Sequence, residues 1–251
     1  MSEQERIQAL LQAGKITQQE ADLLLSALEE GDAAAQQADQ NISEAVGQAQ
    51  YAPPQQPQGL RWARVKLTAG QLEARLDPNI QTPVVEGPAE VQQKGADLEV
   101  MPETTGGSLL GGLLGRVGSL ELRLPPGWGL EVDSKAAEIE VEGVAFLRGR
   151  VAAGNVELKA VEGLDLEVTA GNIEGSLRLH EGQHRLRVSM GNAELDLLPG
   201  SSVRLEANVS LGNQEIRGFD RTAHGTTRQL GEGRAALEVT VRVGNLEVRA
   251  R

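Results

Sequence analysis

An eight-residue pattern recurs along this chain and constrains its fold more than any other feature. Its clearest copies are VAAGNVEL at 151–158, VTAGNIEG at 168–175, VSMGNAEL at 188–195, VSLGNQEI at 209–216 and VRVGNLEV at 241–248. Each reads apolar-x-apolar-Gly-Asn-x-Glu-x, with an apolar or small sixth residue in four of the five. Short units of this kind mark a repeat architecture, in which each unit buries its apolar face against its neighbours.

The parity of apolar positions shows what the unit is. Leu164, Leu166, Val168 and Ala170 alternate, as in a half-buried strand, and the alternation resumes at Ile173 after Gly171-Asn172. The step across Gly-Asn is three residues. The same slip recurs from Ala153 to Val156, Met190 to Ala193, Leu211 to Gln214 and Val243 to Leu246, and more weakly from Ala69 to Leu72, Gly95 to Leu98, Val117 to Leu120 and Ala136 to Ile139. One extra residue per period is what a bulge or corner requires, since otherwise each later side chain would point to the wrong face. Gly takes a positive φ at no steric cost and Asn tolerates one. The corner pairs are Gly154-Asn155, Gly171-Asn172, Gly191-Asn192, Gly212-Asn213 and Gly244-Asn245.

The expectation is a mainly β fold over residues 60–251: a β-solenoid of stacked strand, Gly corner, strand coils, with a β-sandwich of bent strands as the competing architecture. FDRTAHGTTRQLGEGR at 219–234 reads as an inserted loop. The last coil, ending at Arg251, shows no cap, so its edge is expected to be open to pairing.

Residues 1–31 read as a small helical hairpin. Ile7, Leu10 and Leu11 mark one apolar stripe; Thr17 and Glu20 form a capping box; Leu24, Leu25 and Leu28 mark the second stripe. Helices this short need a partner for their stripes. Residues 32–59, rich in Ala, Gln and Pro, read as a linker.

The chain has five aromatic residues, two Trp, one Tyr and two Phe, so the core must be aliphatic. A formal charge of −12 argues against general nucleic-acid binding, which needs clustered Lys and Arg. Cysteine is absent, which removes disulfides and thiolate metal sites. The first twenty residues lack the basic and apolar regions of a signal peptide, and no apolar run is long enough to span a bilayer. The expected location is the cytoplasm, with any membrane association peripheral.

Outward positions after each corner carry Glu157, Glu174, Glu194, Glu215 and Glu247. In register they form an acidic column beside an asparagine ladder. Its plain role is structural, with Arg178, Arg187, Arg217 and Arg249 as neutralising neighbours; its sharper role is to bind cations or a basic partner. GGSLLGGLLGRVGS at 106–119 places Leu109, Leu110, Leu113 and Leu114 among glycines, as a loop folding back on the repeats or one touching a membrane or another subunit. His180 and His184 flank a turn and His224 lacks a third ligand, so no metal site is expected. Ser201 and Ser202 have no base partner and no phosphate-binding glycine loop occurs. Acidic residues suit a glycan-cleaving β-helix, but the aromatic platform for sugar stacking is missing. No catalytic residue, cofactor-binding residue or cofactor is expected.

The repeat resembles the bacterial putative-adhesin family of β-strand repeats, a domain of unknown function, with its G-[ND]-[VIL]-x-[VIL] units and the turns LPPG (124–127) and LLPG (197–200). QALLQAGKITQQEADLLLSAL, within residues 3–30, is similar to the short helical (SHOCT-like) module that often precedes that domain. The resemblance implies a non-enzymatic role linked to cell-envelope stress. Bactofilins, cytoskeletal solenoids that polymerise end to end, share the expected architecture but not the Gly-Asn corners or the hairpin. The expected function is a scaffold that binds a protein partner or itself through the helical stripe and strand edges, with an exported surface adhesin as the alternative.

Overall fold

Sixteen strands and no helix form among the described residues, which are 59–102, 119–221 and 227–251 of a computed structural model. The expected hairpin with Ile7, Leu10, Leu11, Leu24, Leu25 and Leu28, the linker up to residue 58, and Leu109, Leu110, Leu113 and Leu114 lie outside them. In chain order the strands are β1 (Arg61–Leu76), β2 (Val84–Glu86), β3 (Ala89–Lys94), β4 (Asp97–Pro102) and β5 (Ser119–Leu124). Next come β6 (Trp128–Glu142), β7 (Leu147–Val161), β8 (Leu164–Leu177), β9 (Gly182–Met190) and β10 (Ala193–Leu197). The rest are β11 (Val203–Leu211), β12 (Gln214–Arg217), β13 (Asp220–Arg221), β14 (Arg228–Leu230), β15 (Ala235–Val243) and β16 (Leu246–Ala250). All belong to one open sheet.

Parallel pairing in strict register dominates. The long strands β1, β6, β7 and β8 lie side by side, so that Leu72, Ile139, Val156 and Ile173 align. Beyond β8 the strands break at the corner into pairs: β9 and β10, then β15 and β16, then β11 and β12. Identical spacing from each corner places like residues in columns. Leu67, Ser134, Val151, Val168, Val188, Val241 and Val209 form one. Ala74, Val141, Leu158, Gly175, Leu195, Val248 and Ile216 form another. All but Gly175, Val209 and Ile216 of these are buried. The core is therefore a continuous aliphatic seam, as the composition demanded. The scarce aromatics sit where glycine leaves room: a Cβ on Gly129 would lie 2.7 Å from the Trp62 ring, and one on Gly163 would lie 2.3 Å from that of Phe146.

Two readings of the sequence need correction. The last coil does not form the open end. β15 and β16 insert between the β9–β10 and β11–β12 layers, so the chain skips a layer and later fills it. Inward positions explain the order: β15–β16 offers Leu237, Val239, Val241, Leu246 and Val248, whereas β11–β12 has Ala207 and Gln214 at equivalent places. Burying the fully aliphatic coil on both sides removes more apolar area from water. The open end is thus β11–β12. Second, the apolar residue before each Gly does not point inward. Met190, Leu211 and Val243 are 61%, 66% and 42% exposed. The corner itself rotates this position outward, and inward packing passes directly from Val188 to Ala193.

Three more details differ. Gly95 makes the β3–β4 turn and not a corner; β3 runs antiparallel to β4, and β2 to β5, closing the first end. The segment 219–234 contains β13 and β14, and β14 covers Val203–Leu205 of β11 antiparallel. His184 lies within β9, not in a turn, and is buried.

Candidate functional site

The corner is built from close backbone approach. Gly171 has φ +149°, and a Cβ there would lie 1.7 Å from the carbonyl oxygen of Gly154. Gly191 stands in the same relation to Gly171, Gly244 to Gly191, and Gly212 to Gly244. Only a residue without a side chain permits the layers to meet this way. The asparagines that follow are held in one line. The Nδ2 of Asn172 donates to Oδ1 of Asn155 (3.4 Å), and the backbone N and Nδ2 of Asn192 both donate to Oδ1 of Asn172 (3.1 Å each). Asn245 repeats this on Asn192 (3.1 and 2.9 Å), and Asn213 on Asn245 (3.3 and 3.2 Å). The ladder follows spatial order, not chain order.

The five glutamates named from the repeat align in register, Glu157 with Glu174, Glu174 with Glu194, Glu194 with Glu247 and Glu247 with Glu215. The column also includes Glu140, Glu73 and Glu121, which the sequence reading omitted. The signal was present for two of them: Glu73 and Glu140 lie three residues past Gly70 and Ala137, as Glu157 does past Gly154. Adjacent like charges repel, and cations from two residues further along answer most of them. Lys159 bonds Glu140 and, at 3.1 Å, Glu157; Arg249 meets Glu194 and Glu247 at 2.8 Å each; Arg217 meets Glu215 at 2.6 Å; Arg75 bonds Glu121. The hydrogen bond from Arg249 holds Glu247 below its ordinary pKa, and that bond raises Arg249 in turn. Bonds to Glu140 and then Glu157 raise Lys159. Glu174 has no cation within ion-pair distance among the described residues. It lines a shallow groove of about 310 Å³ with Gln71, Glu138, Asn155, Glu157 and Asn172.

Before the corner the charges alternate in sign across the sheet. Glu99, Arg64, Glu131, Arg148, Asp165, Arg185 and Glu238 lie in register. Arg64 and Arg148 reach Glu131 at 3.2 and 2.6 Å, and Arg185 reaches Asp165 at 2.9 Å. From Arg64 to Glu238 each stands six residues before its corner residue, an offset readable from the sequence but not read. The alternation stops at the open end, where Glu206 lies beside Glu238. At the closed end, hydrogen bonds from Lys94 and Lys66 pull the Glu99 carboxyl down to about 2.

His184, Ser201 and Ser202 hold backbone, and His224 lies outside the described residues. His184 Nδ1 accepts from the Leu164 amide (3.3 Å) and its Nε2 meets the Glu181 carbonyl (3.0 Å); burial lowers its pKa. Ser201 Oγ accepts from the Leu179 amide and Ser202 Oγ from that of Arg234. No cluster of three or more metal-ligating side chains occurs among the described residues. Arg178 directly follows β8 and Arg187 lies within β9; among the described residues neither forms an ion pair with the glutamate column, and Arg187 reaches Glu238 only at 3.9 Å.

The β11–β12 end leaves strand edge unpaired among the described residues. β14 covers Val203–Leu205, and no strand among the described residues pairs with the outer side of 207–211 or of β12. Val209 and Ile216 are only half-buried there, although their column neighbours Val241 and Val248 are fully buried. Met190, Val243 and Leu211 align into an exposed apolar row that ends at this edge.

No family model matches the chain, and no curated protein matches it. Among solved structures it is similar to a putative cell adhesion protein from Clostridium sporogenes: 13% identity, TM-score 0.50, covering 79% of this chain and 97% of that one. A putative adhesin from Bacteroides fragilis aligns at 9% identity and TM-score 0.40, over 80% of this chain and 98% of its own. The first likeness shows a shared fold.

Proposed function

We propose that this protein is a non-catalytic β-solenoid scaffold that acts by holding a protein partner or another copy of itself. The observation that carries this reading is the β11–β12 edge, where an aliphatic column and an apolar row both end without a covering strand among the described residues. Uncovered strand edges pair with other chains unless something blunts them. The outer polar surface supports the same reading: its charges are mostly answered by neighbours, which makes it a rigid face. The carboxylates with displaced pKa, Glu99 and Glu247, move down, opposite to what a general acid requires. The strict register supports turns of a solenoid, stacked in spatial order and not in chain order. Light scattering on the full chain, together with affinity capture, tests the proposal; a monomer that captures nothing would sink it.

A second reading is an exported surface adhesin. It draws on the fold shared with the Clostridium protein and on the family resemblance. Cell fractionation separates the two readings. The link to envelope stress comes from the family resemblance, and its test is whether envelope-damaging agents change the protein's abundance.

A further inference from the structure

We infer that the open edge formed by β12 (Gln214–Arg217) is a self-association surface that takes a second copy of this chain through the same strand. The inference rests on the scaffold reading and names its partner. The two ends of the sheet are unlike. At the first end, β2 and β3, of three and six residues, run antiparallel to β5 and β4. A copy stacking head to tail would have to match one bent parallel layer to two separate short strands. β12 matches itself instead.

The charge order on β12 supplies the complementarity. It reads Gln214-Glu215-Ile216-Arg217. Laid antiparallel on its own copy about Ile216, it places Glu215 opposite Arg217 of the second copy, and Arg217 opposite Glu215 of that copy. The apolar residue between them then meets its own equivalent. This is the symmetry of an isologous interface, in which one patch serves both sides. Within one molecule Arg217 folds back on Glu215 at 2.6 Å, with the side chains 61% and 52% exposed, so both are free to exchange that bond for one across the interface. A two-fold pair also closes on itself, so β12, once paired, offers no edge for a third copy.

Sedimentation velocity on the full chain over a concentration series tests this. The wild type should sediment as a dimer that dissociates on dilution. Glu215→Arg and Arg217→Glu each set like charges opposite one another at both symmetric positions, and each should weaken the dimer about tenfold or more. The double variant E215R/R217E restores opposite charges and should dimerise like the wild type. An equimolar mixture of the two single variants should form a mixed dimer although neither does so alone. Because both side chains are exposed, the variants should keep the wild-type circular dichroism spectrum and unfolding midpoint. A dimer indifferent to all three variants overturns the edge assignment and leaves the scaffold reading standing. A monomer at every concentration overturns the inference; if it also captures no partner, the scaffold reading falls with it. Strong hydrogen-exchange protection of 214–217 in a monomer would show the edge covered by the chain's own residues, and overturns the inference as well.

Discussion

Single residues in this protein are judged by the column they stand in. Gly171 has a neighbour's carbonyl where a Cβ would be, and its φ of +149° disfavours any side chain. Gly171→Ala should cost on the order of 3 kcal/mol, from strain and overpacking together. Ala137 occupies the same row without a positive φ, so Ala137→Gly should cost only roughly 0.5–1 kcal/mol, through chain entropy. Urea midpoints of the two variants check the contrast. Ser134 sits in an otherwise aliphatic column, 2% exposed, and its hydroxyl has no hydrogen-bond partner. Ser134→Ala should therefore stabilise the protein, by about 1 kcal/mol, because it removes a buried unsatisfied group. A lowered midpoint would contradict this. His184 is depressed by burial, so the unfolded chain takes up a proton before the folded one does. The stability it allows is present above the ordinary imidazole value of 6.5 and is lost as pH falls below it.

At the scale of strands, sequence offset from the corner becomes register across the sheet. Any one-residue slip would set Arg148 and Asp165 on the wrong face and break every charge alternation at once. Individual exposed pairs contribute little, about 0.2–1 kcal/mol, so their chief effect is to specify the register. Asn192 joins two rungs of the ladder, and Asn192→Ala should cost about 1 kcal/mol and speed amide exchange at Asn245, whose N–H it accepts. Unchanged exchange at Asn245 would remove the ladder from the account. Glu99 ties β4 to β1 and β3 through Lys66 and Lys94. Its folded pKa of about 2 lies below the ordinary 4.5. Its contribution is present above 4.5 and is lost as pH falls toward 2, so Glu99→Gln should flatten the acid limb of the stability profile. An acid limb identical to the wild type would count against that linkage.

Taken as a whole, the molecule orders its layers differently from its chain. β11–β12 is synthesised before β15–β16 but rests on it. Removing residues 235–251 should therefore release two layers and not one. Limited proteolysis of that truncated protein is expected to cut within 203–217, and protection of that segment would show β11–β12 able to dock on β9–β10 directly. The same arrangement places long-range closure late in folding, since the intervening layer must arrive before the outer one is held.

Much of this was legible along the chain. Alternation, the Gly-Asn corner and the glutamate offset are properties of one strand and its own backbone sterics, so Leu164 to Glu174 suffices to read them. The outward turn of Met190, Leu211 and Val243 was not, because periodicity alone does not say how a corner rotates its flanking side chain. Nor was the layer order. Each repeat presents nearly the same aliphatic edge to its neighbours, so local pattern leaves several stackings almost equal. The tertiary structure chose among them by burial: it enclosed the coil with Leu237, Val239 and Leu246 and left Ala207 and Gln214 at the rim.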